Sequence, residues 1–232
     1  MDQRVMIITG SRKGIGRFMA EYYLEKGFMV IGCSRGESDL SHENYEYQQL
    51  DVSDEKAVIQ FVSGVSKKYG RIDYLINNAG IASMNHSFLT PLSVVEKIFK
   101  TNVFGTFLFT REVGKAMSKK KFGRIVNLTT FAVPFKLEGE AVYAASKAAV
   151  TVMAEALARE YAEFGITINT VAPPAVQTDL IKNVQMEKLE RLLSRQAIHR
   201  FGHAKDVCNT IDYFLRDESD MVTGQTVYLG GV

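Results

Sequence analysis

An apolar run, Val5-Met6-Ile7-Ile8, passes without a break into Thr9-Gly10-Ser11-Arg12-Lys13-Gly14-Ile15-Gly16 and then into a segment of helical period. Strand, glycine-rich turn and helix, in that order, form an entry for the phosphates of a dinucleotide. Gly10 permits the tight turn, Gly14 lets a pyrophosphate approach the backbone, and Gly16 allows the helix to pack closely on the strand. The helix N-terminus then faces the anion. The spacing departs from the usual G-x-G-x-x-G, so this turn taken alone leaves a chance run of glycines open.

The rest of the chain repeats that alternation. Apolar runs at 5–9, 29–33, 47–50, 74–77, 125–129, 166–171 and 226–229 are separated by helical-period segments at 15–26, 55–69, 92–118, 140–164 and 204–216. Strand alternating with helix predicts an α/β fold: a Rossmann-type, doubly wound parallel sheet of about seven strands with helices on both faces. Ligands of such sheets sit beyond the carboxyl ends of the strands, where Gly10, Asn78, Thr130 and Pro173 fall. No linker, repeat or charge block divides the 232 residues, so one catalytic domain spans 1–232, with a mobile helical lid at about 177–200. The lid's Met186, Leu189, Leu192 and Leu193 are spaced for a helix but serve plain packing equally well.

The charge balance of 28 basic against 26 acidic side chains offers no strong field for nucleic acid or an anionic membrane. Met1-Asp2-Gln3-Arg4 precedes a short strand instead of a long apolar segment, and no run of about 18 apolar residues is evident, so a cytoplasmic protein without a membrane span is expected. Cys33 and Cys208 lie far apart and the four histidines, His199 and His203 among them, show no ligand spacing, so no metal is expected. The stretches 103–109 and 141–157 are apolar around much of their girth. A helix that needs cover on two sides finds the second in a partner subunit, which predicts a homodimer or homotetramer through 92–118 and 140–164.

Tyr143-Ala144-Ala145-Ser146-Lys147 sets a phenol and an amine four residues apart, on one face if the run is helical. A phenol with a pKa of about 10 brought to about 7 for acid–base work needs roughly 4 kcal/mol. An ammonium and a cofactor's positive charge nearby could supply it. Many helices carry such a pair by chance, so the motif gains weight only from its company. Asn102, in Thr101-Asn102-Val103, is a poor helix former inside a helical run and needs another reason to be there.

TGSRKGIG, Asn77-Asn78-Ala79-Gly80, Asn102 and YAASK stand in the order and spacing of the short-chain dehydrogenase/reductase family, which the chain resembles over nearly its whole length. The resemblance is strongest to the branch that includes 3-oxoacyl-[acyl-carrier-protein] reductases, and Thr223-Gly224-Gln225 and Gly230-Gly231 fit it too. It implies that Tyr143 exchanges the proton at the substrate oxygen. It also implies that Lys147 binds the nicotinamide ribose and lowers the phenol's pKa, and that Asn102 kinks its helix and holds a water linking lysine to solvent. The family's serine thirteen residues before the tyrosine is Thr130 here. Threonine keeps the hydroxyl but adds a methyl and stiffens χ1, so activity with a narrower pocket is expected.

For the cofactor the resemblance implicates the turn (Gly10, Ser11, Arg12, Lys13, Gly14, Ile15, Gly16), Asp51-Val52 near adenine, and Asn78-Ala79-Gly80 beside the adenosine ribose. Asp51 read alone is equally ordinary turn chemistry. Lys147 and Tyr143 reach the nicotinamide end, as do Pro173, Val176 and Thr178, the last on the carboxamide. Pro174 replaces the family's usual glycine and closes backbone shapes that glycine leaves open. The second strand ends in Cys33-Ser34-Arg35 with no acid to grip a 2′-hydroxyl, and Arg35, Lys13 and the Ser34 hydroxyl stand where a 2′-phosphate would sit, so NADP(H) is favoured over NAD(H).

The expected activity is hydride transfer between the nicotinamide and a ketone or secondary alcohol. A 3-oxoacyl thioester is slightly favoured as substrate, because Lys121 and Arg124 could greet an acidic carrier, although Glu163 and Phe164 do not fit that. A sugar or other secondary metabolite is the alternative. A cofactor-binding regulatory protein that lost its chemistry is a third, resting only on Thr130 and Pro174.

Overall fold

The computed structural model describes residues 3–176, 190 and 193–231. Seven strands lie in one sheet: β1 Val5–Thr9, β2 Met29–Ser34, β3 Tyr45–Gln49, β4 Tyr74–Asn77, β5 Gly123–Leu128, β6 Ile166–Ala172 and β7 Thr226–Tyr228. Their order is β3-β2-β1-β4-β5-β6-β7 and every pairing is parallel. The fold class read from the alternation of strands and helices is the one observed.

Period-two burial explains the layering. Val5 and Ile7 of β1 point into a core shared with helices α2 (Glu55–Tyr69), α4 (Gly105–Ser118) and α6 (Ala141–Tyr161), through Val58, Phe61, Phe109 and Ala154. Met6 and Ile8 point the other way, to α1 (Gly14–Glu25) and α7 (Ala204–Leu215), where Met19, Tyr23, Ile211 and Phe214 are buried. Both faces of the central strands are sealed, which is why they read as unbroken apolar runs. Strand order reverses between β1 and β4, so their carboxyl ends open a crevice in which Gly10 and Asn78 face each other.

The helix expected over 92–118 is broken in three: α3 Leu92–Phe99, a π-helical segment Lys100–Phe104, and α4. Asn102 sits inside the wide turn, fully buried. A π-turn that interrupts an α-helix commonly marks a functional position. A short helix, α5 Ala132–Phe135, follows β5 and had no distinct pattern in the sequence.

Among the described residues one helix, Ala141–Phe164, is long and apolar enough by length and composition to cross a membrane, contrary to the reading that no such run exists. One face of α6 packs on the sheet through Val150, Ala154, Leu157 and Ala158, while Val152 on the other is 64% exposed.

Candidate active site

The glycine turn is built by what its side chains would hit. Gly10 has φ +71°, and its N–H donates to Cys33 O at 2.7 Å, swinging the chain over the end of β2. A Cβ on Gly16 would fall 2.2 Å from Gly10 O and 2.4 Å from Asn78 Nδ2, so α1 can lie this close to β1 only with glycine there. Asn78 closes the crevice from β4: its Nδ2 donates to Thr9 O at 2.9 Å and Gly10 O at 3.1 Å, and Thr9 Oγ1 accepts from the N–H groups of Asn78 and Ala79.

Above these ends lies a cavity of about 1140 Å³. Most of the residues expected to hold a dinucleotide line it: Gly10, Arg12, Lys13, Gly14, Ile15 and Gly16 on the turn, Ser34 and Arg35 after β2, Asp51 and Val52 after β3, Asn78, Ala79 and Gly80 after β4, and Val176 after β6. Arg12 N donates to Ser34 Oγ at 3.3 Å, and a Cβ on Gly36 would meet the Arg12 side chain at 3.2 Å, so Arg12 joins Lys13 and Arg35 at the far end. That end of the cavity brings cations and a hydroxyl together, a donor set that fits a phosphate on a ribose.

Among the described residues, Ser11, Pro173, Tyr143 and Lys147 are expected contacts that do not line the cavity. Ser11 is fully buried beneath the turn, its hydroxyl 3.1 Å from Tyr45 OH, because the turn aims that side chain down between β2 and β3. Pro173 lies off the wall at the end of β6. Thr178 lies outside the described residues, as does most of the segment read as a lid. Asp51 lines the cavity yet also makes the turn it was suspected of: its Oδ1 accepts from Ser53 N at 2.9 Å and Ser53 Oγ at 2.8 Å. Pro174 packs against glycine, since a Cβ on Gly202 would sit 2.3 Å from its ring, and Gly202 N donates to Ala175 O at 2.9 Å.

The sequence reading missed the segment that closes the cavity on the α7 side. Arg200, Phe201, Gly202, His203 and Lys205 line it together with Phe18 of α1. Their placement follows from a capping box, with His203 and Asp206 bonding each other's backbone at the start of α7, and from a 3.0 Å ion pair of Arg200 with Asp206. The His203-Ala-Lys-Asp206 spacing was the available signal.

At the inner end the α6 residues converge. Lys147 is 4% exposed and its Nζ donates to Leu128 O at 2.7 Å, at the carboxyl end of β5. Asn102 Oδ1 accepts from Ile81 N, and its Nδ2 donates to Ile81 O and to Ser146 Oγ, each at 2.9 Å. Lys147 Nζ and Asn102 Oδ1 both border Gly80, since a Cβ built there would lie 3.3 and 3.4 Å from them. Thr130 is buried one residue beyond Thr129, with its Oγ1 accepting from Ala132 N at 3.2 Å. Burial pushes the Tyr143 phenol up to about 12, opposed by its bond with the Thr130 hydroxyl, while burial lowers the Lys147 ammonium to about 8. Lys147 keeps its positive charge at neutral pH.

Lys121 and Arg124, read as cations at a substrate entrance, lie at the opposite end of the sheet. Arg124 opens β5 at its amino end, is 3% exposed, and bonds backbone carbonyls of Gly123, Gly165 and Asp217.

With that geometry in place, comparison with known proteins is decisive: residues 4–189 match the family described as short chain dehydrogenase. The chain belongs to the short chain dehydrogenase family. It is an oxidoreductase of the CH–OH/C=O type. The chain is 30% identical to the 3-oxoacyl-[acyl-carrier-protein] reductase FabG of Salmonella typhimurium, covering 99% of this chain and 97% of that protein. It is 31% identical to the FabG of Escherichia coli, with the same coverage. A solved structure of ElxO with NADP bound superposes with a TM-score of 0.90 at 30% identity, over 99% of this chain and 97% of that one. A tyrosine-to-phenylalanine variant of ElxO with NADPH bound gives 0.89 at 29%, over 98% and 97%.

Proposed function

We propose that this member of the family reduces a ketone with NADPH, with Tyr143 as the proton donor. The observation that carries the reading is the convergence of Tyr143, Lys147 and Thr130 at the carboxyl end of β5, beside a cavity whose far end gathers Arg12, Lys13 and Arg35 around the Ser34 hydroxyl. Those cations would hold the 2′-phosphate, the turn at Gly10–Gly16 would take the pyrophosphate, and Lys147 would bond the nicotinamide ribose. When bound, the reduced dinucleotide would supply the hydride.

Each side chain then has one task. Thr130 Oγ1 orients the carbonyl oxygen. Tyr143 passes its phenolic proton to that oxygen as the carbonyl carbon is reduced, and the ammonium of Lys147 stabilises the phenolate left behind. Asn102 fixes the π-turn, and its Oδ1, facing Gly80 with Lys147 Nζ, can share a water that returns the proton. Thr178 and Pro173 belong to the nicotinamide side in this reading, and Ser11 supports the turn from below.

The relatives' printed names favour a 3-oxoacyl thioester as substrate, and the apolar group of Phe131, Phe135 and Leu137 beyond Thr130 suits an acyl chain. We read the protein as a cytoplasmic homo-oligomer, with Phe104 (53% exposed), Phe107 and Val152 covered by a second copy. The test follows NADPH absorbance with an acetoacetyl thioester, a cyclic ketone and a keto-sugar. Wild type should turn over at least one. Tyr143→Phe should lose at least a thousandfold in kcat with NADPH affinity unchanged, and a variant as fast as wild type removes the assignment.

A further inference from the structure

Gly36, two residues past the end of β2, has no conformational reason to be glycine. It lies outside the left-handed backbone region that Gly10 and Gly14 occupy, so any residue could adopt its backbone. The reason is spatial. A Cβ built on Gly36 would meet Nε, Cδ and Cζ of Arg12 at 3.2, 3.3 and 3.4 Å, and all three atoms belong to one side chain. The Arg12 guanidinium therefore lies across Gly36, at the end of the large cavity that both residues line with Ser34 and Arg35.

The loop beneath the guanidinium is tied down from β3. Gln49 Nε2 donates to Arg35 O at 3.0 Å and the Tyr47 hydroxyl donates to Gly36 O, so two side chains on one face of β3 hold two successive carbonyls. A side chain added at position 36 would thus displace Arg12, which is exposed and flexible, and leave the loop where it is. At Gly16, by contrast, an added atom meets backbone. Nothing in the chain holds Arg12 by charge. Among the described residues its guanidinium makes no ion pair or hydrogen bond, and Asp39 of the same loop is taken by Arg17 at 2.5 Å. Nor is Ser34 free to donate: its one hydroxyl proton goes to Cys33 O at 2.6 Å, and its oxygen accepts from Arg12 N. A phosphate at this end must be met by the cations, and a guanidinium fork suits its oxygens.

We propose that Gly36 sets the choice of dinucleotide: lacking a side chain, it lets the Arg12 guanidinium lie across the tied loop, where it binds the ribose 2′-phosphate of NADPH. Gly36 is a positioning residue that acts through Arg12. This rests on the NADPH reading above and goes beyond it by naming the contact that discriminates. A larger residue at position 36 removes the phosphate contact and leaves the rest of the dinucleotide's contacts in place, so it costs affinity for NADPH and spares NADH.

The test measures dissociation constants for NADPH and NADH, from the fluorescence of the dihydronicotinamide, in wild type, Gly36→Val, Arg12→Met and the double variant, with Tm recorded for each. Wild type should bind NADPH at least about tenfold more tightly than NADH, as one charge-assisted bond provides. Gly36→Val and Arg12→Met should each weaken NADPH binding about tenfold and NADH binding by less than about threefold, at an unchanged Tm. The double variant should bind NADPH no more weakly than Arg12→Met alone, because a contact already removed cannot be lost again. Losses that add in the double variant, NADPH selectivity kept by either single variant, or equal losses with both dinucleotides overturn the inference while wild-type selectivity keeps the NADPH reading. Should Gly36→Val fail to fold, the loop is not held as described and the inference falls, with Arg12→Met alone then reporting on the phosphate contact. A wild type that binds both dinucleotides equally removes the NADPH reading and this inference together.

Discussion

Asn102 Nδ2 and Ser146 Oγ lie 2.9 Å apart, and that bond pins the π-turn to the helix that carries Tyr143 and Lys147. Ser146 Oγ in turn donates to Tyr143 O at 2.7 Å, so one hydroxyl connects both halves of the inner site. Ser146→Ala leaves a buried amide N–H of Asn102 without its acceptor, at about 1–3 kcal/mol. Tm should drop by about 2–4 °C for each kcal/mol. Calorimetry and NADPH-linked turnover should show the loss of stability together with a lower kcat and little change in NADPH affinity.

Lys147 gives the chain a pH signature. Its folded-state pKa of about 8 lies below the ordinary 10.5, so between those values the unfolded chain binds more protons and stability rises with pH. The gain approaches about 3 kcal/mol at roughly 1.4 kcal/mol per unit. Urea denaturation at several pH values from about 7 to 10, on wild type and Lys147→Met, should show the wild type gaining on the variant as pH rises. Parallel curves would mean that the lysine is not buried as a cation.

Gly16→Ala puts a methyl group 2.2 Å from Gly10 O, against backbone that cannot move aside. The turn must open, and NADPH affinity measured by fluorescence titration should fall at least tenfold while the far-UV spectrum stays that of an α/β protein.

Arg35→Ser removes one cation from the end of the cavity where Ser34 also stands. A charge-assisted bond is worth about 1.5–3 kcal/mol, so kcat/KM for NADPH should fall about 10- to 100-fold. The value for NADH should stay within about threefold. Equal losses with both dinucleotides would move the 2′-phosphate elsewhere.

Much of this was legible in the sequence because it is local. The helix Glu55–Tyr69 carries its own signals, an Asp54 cap on Ala57 N and Gly70 with φ +69° at its end, and the strands announce themselves by burial on both faces. The glycine turn and the Tyr143–Lys147 pair are likewise short-range patterns. The kink expected at Asn102 is held by Ile81, some twenty residues earlier, which offers its backbone to the amide. What escaped also depends on distant chain. Ser11 was misread because only the pairing of β2 with β3 brings Tyr45 beneath it. Arg124 was misread because a residue's end of a strand matters more than its distance in sequence from a catalytic group. Arg200–Lys205 reached the cavity through Gly202 packing on Pro174, a contact between segments that no periodicity links.

The two cysteines have a practical consequence. Cys33 and Cys208 are both buried, and burial raises both thiols, Cys208 to about 12. Neither offers a thiolate to an alkylating reagent while the sheet stays closed. A coloured disulfide reagent would therefore react only with molecules that have opened, turning this chain's own sulfur atoms into a stopwatch for its unfolding.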